Sequence, residues 1–422
     1  MAQEIDNIYE EAVASGLLPG ASLIAGDKDG KVFRLDDSFN TVLTYKQGNI
    51  LYSKSFGKAS LKEGDNRPFT ESTIAAVASM SKLMTSIAVL QCVEDGKLEL
   101  DKDVKSLLPE IGKYGLIVGF DDVKNSAIFA HNSTPITLRL LLTHTSGHEY
   151  DWFNPLLLKW RASRNEPPSS GLTLEERSAL PLAFEPGKGF AYGAGHDWAG
   201  RAIERATNSS LDEFMRKSIW TPLGIENDAS FYPKTMDNMK DRLADVSTLD
   251  ADGKPPAVHF PGFDISGGSP DCFGGAGVYT SAKAYYTFLS AVLRRDPKLL
   301  KPSSYEELFR PQLNEQCENA LNDDIISSEI KTQYLGMQVP ASVRKTWNLA
   351  GLVAKEAQEG RFAKGTTLWG GYPTCEWFID NESRICGVMV CQLVPPMQPD
   401  VMRLHEQFQK AMFSKIKVGA RL

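Results

Sequence analysis

The chain has 422 residues, with 46 lysines and arginines against 53 aspartates and glutamates, a net charge of −7. A hydrophobic fraction of 42% and a charged fraction of 23% are ordinary for a globular protein long enough for one large or two interleaved cores. The mildly acidic balance, with no basic run, argues against nucleic acid as the main partner. No stretch of about 20 apolar residues is present to span a bilayer, so no membrane partner is expected. The start, Met1-Ala2-Gln3-Glu4-Ile5-Asp6, lacks the basic and apolar segments of a signal peptide. The six cysteines form no CxxC pair, which reads as reduced, buried thiols in a cytoplasmic protein.

Residues 4–16 carry apolar side chains at helical spacing and end at Leu18-Pro19-Gly20. Strand-like runs follow at Ala21–Ala25, Thr41–Lys46 and Ile50–Phe56, the last two set as a hairpin around Gln47-Gly48-Asn49. From Ser79 to about Glu94 the pattern predicts a buried helix ending at Asp95-Gly96. Residues 101–270 alternate helical stretches (Thr137–Leu142, Trp198–Ala206, Leu211–Trp220) with loops rich in Pro, Gly and Asn. Another helix is predicted over Ala282–Arg294, strands over Thr374–Ile379 and Ile385–Leu393, and a last helix from about Pro399 to Ile416. The expected fold class is α/β (α+β): an antiparallel sheet built from both ends of the chain and covered by the first, the Ser79 and the last helices. Residues 1–100 with 271–422 would form that sheet domain, and 101–270 an inserted, mainly helical domain.

Ser79-Met80-Ser81-Lys82 is an S-x-x-K motif. The spacing alone is weak, since it recurs at Ser55/Lys58, Ser328/Lys331, Ser342/Lys345 and Ser414/Lys417. Only Ser79 opens a long apolar helix. Residues i and i+3 of a helix share a face, about 5–6 Å apart between Cβ atoms. Lys82 could therefore reach the Ser79 hydroxyl at a helix end that offers free N–H groups. Tyr192, in the Gly-rich loop Ala191-Tyr192-Gly193-Ala194, is a candidate proton carrier. Leu368-Trp369-Gly370-Gly371-Tyr372 precedes a late strand, and its paired glycines would let a substrate approach the backbone. The aromatic run Tyr150-Asp151-Trp152-Phe153 has two readings: domain core, or Tyr150 and Trp152 lining an acyl or acceptor pocket. His144 and His148 stand four apart, but His-Thr-Ser-Gly-His is not a zinc HExxH and Gly147 breaks a helix. No metal and no cofactor is expected, and His144 reads as a structural hydrogen bonder.

Order and spacing of these motifs resemble the serine β-lactamase superfamily, on the side of the class C enzymes and family VIII esterases. The resemblance covers nearly the whole chain, including Leu18-Pro19-Gly20, Phe56-Gly57, Leu141-Leu142-Thr143-His144-Thr145-Ser146-Gly147 and Phe273-Gly274-Gly275-Ala276-Gly277. Gly119-Phe120-Asp121-Asp122, Tyr192-Gly193-Ala194 and Asp197-Trp198-Ala199-Gly200 are similar to fungal acyltransferases of the lovastatin type. Ala194 replaces the asparagine of the Tyr-x-Asn motif, Trp369 replaces the lysine of Lys-Thr-Gly, and Tyr372 stands where those acyltransferases continue a glycine run. The resemblance implies an oxyanion hole from the N–H groups of Ser79 and Tyr372, with Trp369, Gly370 and Gly371 along the substrate. It implies acyl transfer through acyl-Ser79 from an ester or thioester donor, free or carrier-protein-bound, to an alcohol acceptor in fungal secondary metabolism. The alternative is a carboxylesterase that passes the same acyl group to water.

Overall fold

The computed structural model describes residues 2–28 and 50–419. The expected strand Thr41–Lys46 and its turn lie outside the described residues. Among those described, the main sheet has seven strands: β1 (Gly20–Asp27), β2 (Ile50–Gly57), β3 (Lys345–Trp347), β4 (Leu352–Ala354), β5 (Thr367–Gly371), β6 (Cys375–Asp380) and β7 (Ile385–Cys391). Their order is β3-β4-β5-β6-β7-β1-β2, and every neighbouring pair is antiparallel. Both ends of the chain thus feed one sheet, as the sequence predicts. The interior strand β7, Ile-Cys-Gly-Val-Met-Val-Cys, is buried at every position, because both of its faces are covered. The edge strand β2 buries Tyr52 and Phe56 on one face and leaves residues between them more open, the alternation of a strand with one covered face.

The first helix, α1 (Ala2–Ala14), and the last, α5 (Pro399–Gly419), cover one face of the sheet. Their contacts are aromatic: Tyr9 stacks on Phe56 at 5.3 Å, and Phe408 meets Tyr52 at 5.6 Å. Helix α4 (Ala282–Arg294) packs on the opposite face, against β7 and β1. Here the expected arrangement needs correction. The Ser79 segment is a short 3-10 turn, Ala78–Met80, leading into α2 (Ser81–Glu94). Helix α2 packs chiefly against α3 (Gly195–Thr207), and the sheet's second face belongs to α4. The reason lies in composition: α2 is buried around most of its circumference, Ser81 through Leu90 without a break, so it is an interior helix and not a one-faced cover. Gly370-Gly371 precede strand β6, as expected, and themselves end strand β5, which the sequence pattern did not mark. The sequence pattern also missed the hairpin Leu116–Asp121/Ser126–Ala130. All six cysteines are free and buried. No helix is long and apolar enough to cross a membrane among the described residues.

Beneath α1 and α5, strand β6 buries the carboxyl group of Glu376, and neither oxygen has a hydrogen-bond partner among the described residues. Burial pushes its pKa from 4.5 up to about 8, against the opposing pull of Arg361. The Arg361 guanidinium is itself held by Gln409 Oε1 at 2.7 Å and the Gln338 carbonyl at 2.6 Å. The folded protein keeps a proton on Glu376 that the unfolded chain loses above its ordinary pKa of 4.5. This group's contribution to stability therefore falls as pH rises from there toward 8. Glu376→Gln should raise the melting temperature by a few degrees more at pH 9 than at pH 5, measured calorimetrically beside the parent. A shift independent of pH would show that Glu376 is ionised in the fold.

Candidate active site

The chain reaches Ser79 from a short strand, Ile74–Ala76, paired with Tyr279–Ser281. Val77 N–H donates to the Val278 carbonyl at 3.1 Å. Ala78 then adopts φ +42°, a conformation that costs a residue with a Cβ about 1–3 kcal/mol and persists only where neighbours enforce it. One such neighbour is β5. A Cβ on Gly371 would stand 2.2 Å from the Val77 carbonyl oxygen, so only glycine lets the strand lie this close to the Ser79 turn. On the other side, the Met80 carbonyl accepts the Tyr285 hydroxyl at 2.8 Å, and Ser81 Oγ accepts Val278 N–H at 3.0 Å. No side chain caps the start of the 3-10 turn or of α2. The positive end of the helix is therefore open toward the Ser79 hydroxyl.

Lys82 is buried, with Nζ 3.1 Å from Ser79 Oγ and 2.8 Å from the Gly275 carbonyl oxygen. That carbonyl belongs to the loop Phe273–Gly277, which is wedged between α2 and α3. Thr85 Oγ1 donates to Gly274 O at 2.6 Å, and Gly275 N–H donates to Asp197 Oδ1 at 2.7 Å. Asp197 lies in the first turn of α3 and is buried; burial raises its pKa while the nearby Lys82 charge opposes the rise. Its role in seating the lysine's loop was not legible in the sequence.

The hydroxyl of Tyr192 donates to Ser79 Oγ at 2.8 Å, and Trp369 Nε1–H donates to the Tyr192 oxygen at 3.2 Å. Ser79, Lys82 and Tyr192 thus meet at one oxygen. A serine hydroxyl has one proton to lose and two lone pairs, and here both neighbours can carry a proton. The arrangement is competent for moving the Ser79 proton away as the oxygen attacks an electrophile.

These groups open on a cavity of about 750 Å³. The residues expected from sequence to bind substrate, Tyr150, Trp152, Trp369, Gly370 and Gly371, line it, and so do Ser79 and Tyr372, expected in the oxyanion hole. Tyr150 stacks on Trp152 at 4.4 Å and stands edge-on to Tyr192 at 5.7 Å. Tyr150 and Phe153 pack against the core as well as lining the cavity, so the run has features of both readings. The Tyr372 ring lies at the surface, 44% exposed, parallel to Phe263 at 6.0 Å. Sequence reading missed three further walls: Phe263–Ile265, residues of the 328–337 segment such as Tyr334 and Met337, and Pro396-Met397. They come from loops and a seven-residue helix, Glu329–Leu335, too short for a periodic signal. Neither His144 nor His148 is among the residues lining the cavity. His148 Nδ1 pairs with Ser146 Oγ at 3.2 Å, and burial lowers its pKa to about 4. No group of three or more His, Cys, Asp or Glu that could hold a metal ion occurs among the described residues.

With this geometry in hand, the family model described as Beta-lactamase matches residues 5–412. The chain belongs to the Beta-lactamase family. Among curated members, the lovastatin esterase of Penicillium rubens is 34% identical over 97% of this chain and 98% of its own. The monacolin J acid methylbutanoyltransferase of Aspergillus terreus is 31% identical over 98% and 96% respectively. A mutant of simvastatin synthase from the same fungus superposes with a TM-score of 0.86 at 32% identity, covering 98% of this chain and 94% of that one. The family's serine acyl chemistry is thus the chemistry of this chain. These curated relatives divide between an esterase and an acyltransferase.

The packing of β5 on the Ser79 turn yields a test. Gly371→Ala would force the strand and the turn apart by on the order of 1 Å, and such displacements can cost about 10²-fold in rate. The inactivation rate by a serine-directed phosphonate should fall by about that factor, with a lowered melting temperature. An unchanged rate would mean that this contact does not set the position of Ser79.

Proposed function

We propose that the protein is a serine acyltransferase working in two steps. Ser79 Oγ attacks the carbonyl of an ester or thioester donor, free or carrier-protein-bound. Lys82 and Tyr192 take up its proton and return it to the leaving group. The N–H groups of Ser79 and Tyr372 stabilise the oxyanion. An alcohol acceptor seated in the cavity then takes the acyl group from Ser79, and the same two side chains carry its proton. The observation that carries the reading is the convergence of Lys82 Nζ at 3.1 Å and the Tyr192 hydroxyl at 2.8 Å on one serine oxygen, at a cavity walled by aromatic rings. The statin-type acceptors named for the relatives support a polyketide alcohol in fungal secondary metabolism. Six free, buried thiols suit a cytoplasmic setting. We also read residues 1–100 with 271–422 as one unit and 101–270 as a second inserted into it.

A carboxylesterase is the second reading, favoured by the 34% identity to lovastatin esterase. The two differ only in what deacylates Ser79. Water is in vast excess, so an alcohol wins only if it is bound and aligned, for which effective molarities on the order of 10⁵–10⁸ M leave ample room. The test supplies a butyryl thioester with a series of alcohols, from ethanol to bulky decalin-type polyketide alcohols, and counts ester against free acid by chromatography. Ester should exceed acid by roughly tenfold with a bulky apolar alcohol and not with ethanol. Free acid dominating with every alcohol, alongside rapid cleavage of simple esters, would replace transfer with hydrolysis.

A further inference from the structure

Tyr192 sits on a loop, and a loop hydroxyl holds a 2.8 Å bond to Ser79 only if its backbone is fixed. The fixing groups come largely from one residue, His144. This histidine is 1% exposed and has φ +59°, just beyond the helix Leu138–Leu142. In that left-handed conformation its carbonyl and its imidazole turn toward the same stretch of chain. The carbonyl accepts Ala191 N–H at 2.9 Å, and Nδ1 accepts Gly193 N–H at 3.3 Å. Those two amides flank Tyr192. The imidazole also lies 4.6 Å from the Tyr192 ring. A third tie comes from the aromatic run, where Tyr150 N–H donates to the Tyr192 carbonyl at 3.3 Å. Gly193 has no room to move aside, since a Cβ there would stand 2.3 Å from the His148 carbonyl.

We propose that His144 is a positioning residue for the reaction: its neutral imidazole, accepting Gly193 N–H at Nδ1 while its carbonyl accepts Ala191 N–H, sets the Tyr192 hydroxyl on Ser79. The inference rests on the reading of Tyr192 as proton carrier. Nδ1 serves as acceptor only in the tautomer with the proton on Nε2, and a doubly protonated ring would face the Gly193 N–H with a second donor. The surroundings hold the ring neutral. Nε2 has no hydrogen-bond partner among the described residues, and burial, aided by the Lys82 charge, keeps the pKa well below the usual 6.5.

A packing role alone is the competing account, because the ring also touches Phe190 at 5.9 Å, Trp347 at 5.1 Å and His196 at 5.3 Å. Two variants separate the accounts. His144→Phe keeps a ring in the aromatic cluster and loses the acceptor. His144→Asn loses the ring, keeps an acceptor oxygen at about the place of Nδ1, and tolerates positive φ. With p-nitrophenyl butyrate as probe, kcat should fall by about 10²-fold in His144→Phe with KM little changed, and stay within about tenfold of the parent in His144→Asn. The reverse order would overturn the proposal. The second readout is a double-mutant cycle. If His144 acts through the Tyr192 hydroxyl, His144→Phe should cost almost nothing more in a Tyr192→Phe background. Losses that multiply would overturn the role of His144 while leaving Tyr192 as proton carrier intact. Unchanged turnover in Tyr192→Phe alone would instead remove the reading on which the inference stands.

Discussion

A lysine amine with 2% exposure is an expensive group to bury, and its hydrogen bonds are what make the burial tolerable. Lys82 finds two acceptors, Ser79 Oγ and the Gly275 carbonyl. The first comes from the 3-10 turn that leads into its helix, three residues back. The second requires a loop from elsewhere in the chain, and that loop is in turn held by the Asp197 carboxylate and the Thr85 hydroxyl. The aspartate requires the first turn of α3 to face α2. The packing of α2 on α3, the glycines at 274 and 275, and the position of the Ser79 oxygen are thus tied to one buried amine and its need for hydrogen-bond partners.

Strain and space are arranged around that point. Ala78 is held at positive φ by the Val77–Val278 bond behind it and the Gly371 backbone beside it. The aromatic residues serve two purposes at once. Tyr192, Trp369 and Trp347 form a continuous set of ring contacts, with Tyr192 to Trp369 at 5.1 Å and Trp369 to Trp347 at 4.8 Å, and one of these rings carries the hydroxyl on Ser79. Where a β-lactamase of the family's type pattern offers asparagine and lysine, this chain has Ala194 and Trp369. Ala194 is buried outside the cavity lining, so the change that reaches the cavity is Trp369, an apolar wall with a single indole donor on the Tyr192 oxygen. Such a wall suits an acyl ester and a bulky alcohol, and gives water few groups to order it.

Much of this was legible in the sequence because it is local. Ser79 and Lys82 declare themselves by helical spacing at the start of an apolar helix, and β6 and β7 by long apolar runs. Tyr192 and Trp369-Gly370-Gly371 were legible through the order of motifs. What was not legible depends on contacts between distant segments. Helix α2 looks like a sheet cover until its all-round burial shows it to be interior. Strands β3 and β4 have three residues each, too few for a period. The cavity wall at Tyr334, Met337 and Phe263 is built from a seven-residue helix, too short for a period, and from loops whose composition resembles any surface loop. Asp197 reads as an ordinary first-turn carboxylate until the Gly275 amide is seen against it.

The central claim is that the acyl group is carried on the Ser79 oxygen, and the most direct measurement is the mass of the protein itself. The chain is mixed with a short-chain acyl thioester, quenched in acid within seconds, and analysed intact and after proteolysis. The account predicts a gain of one acyl group, located on the peptide containing Ser79, and no gain in Ser79→Ala. An adduct on any other residue, or turnover of the thioester by Ser79→Ala at the parent rate, would contradict it.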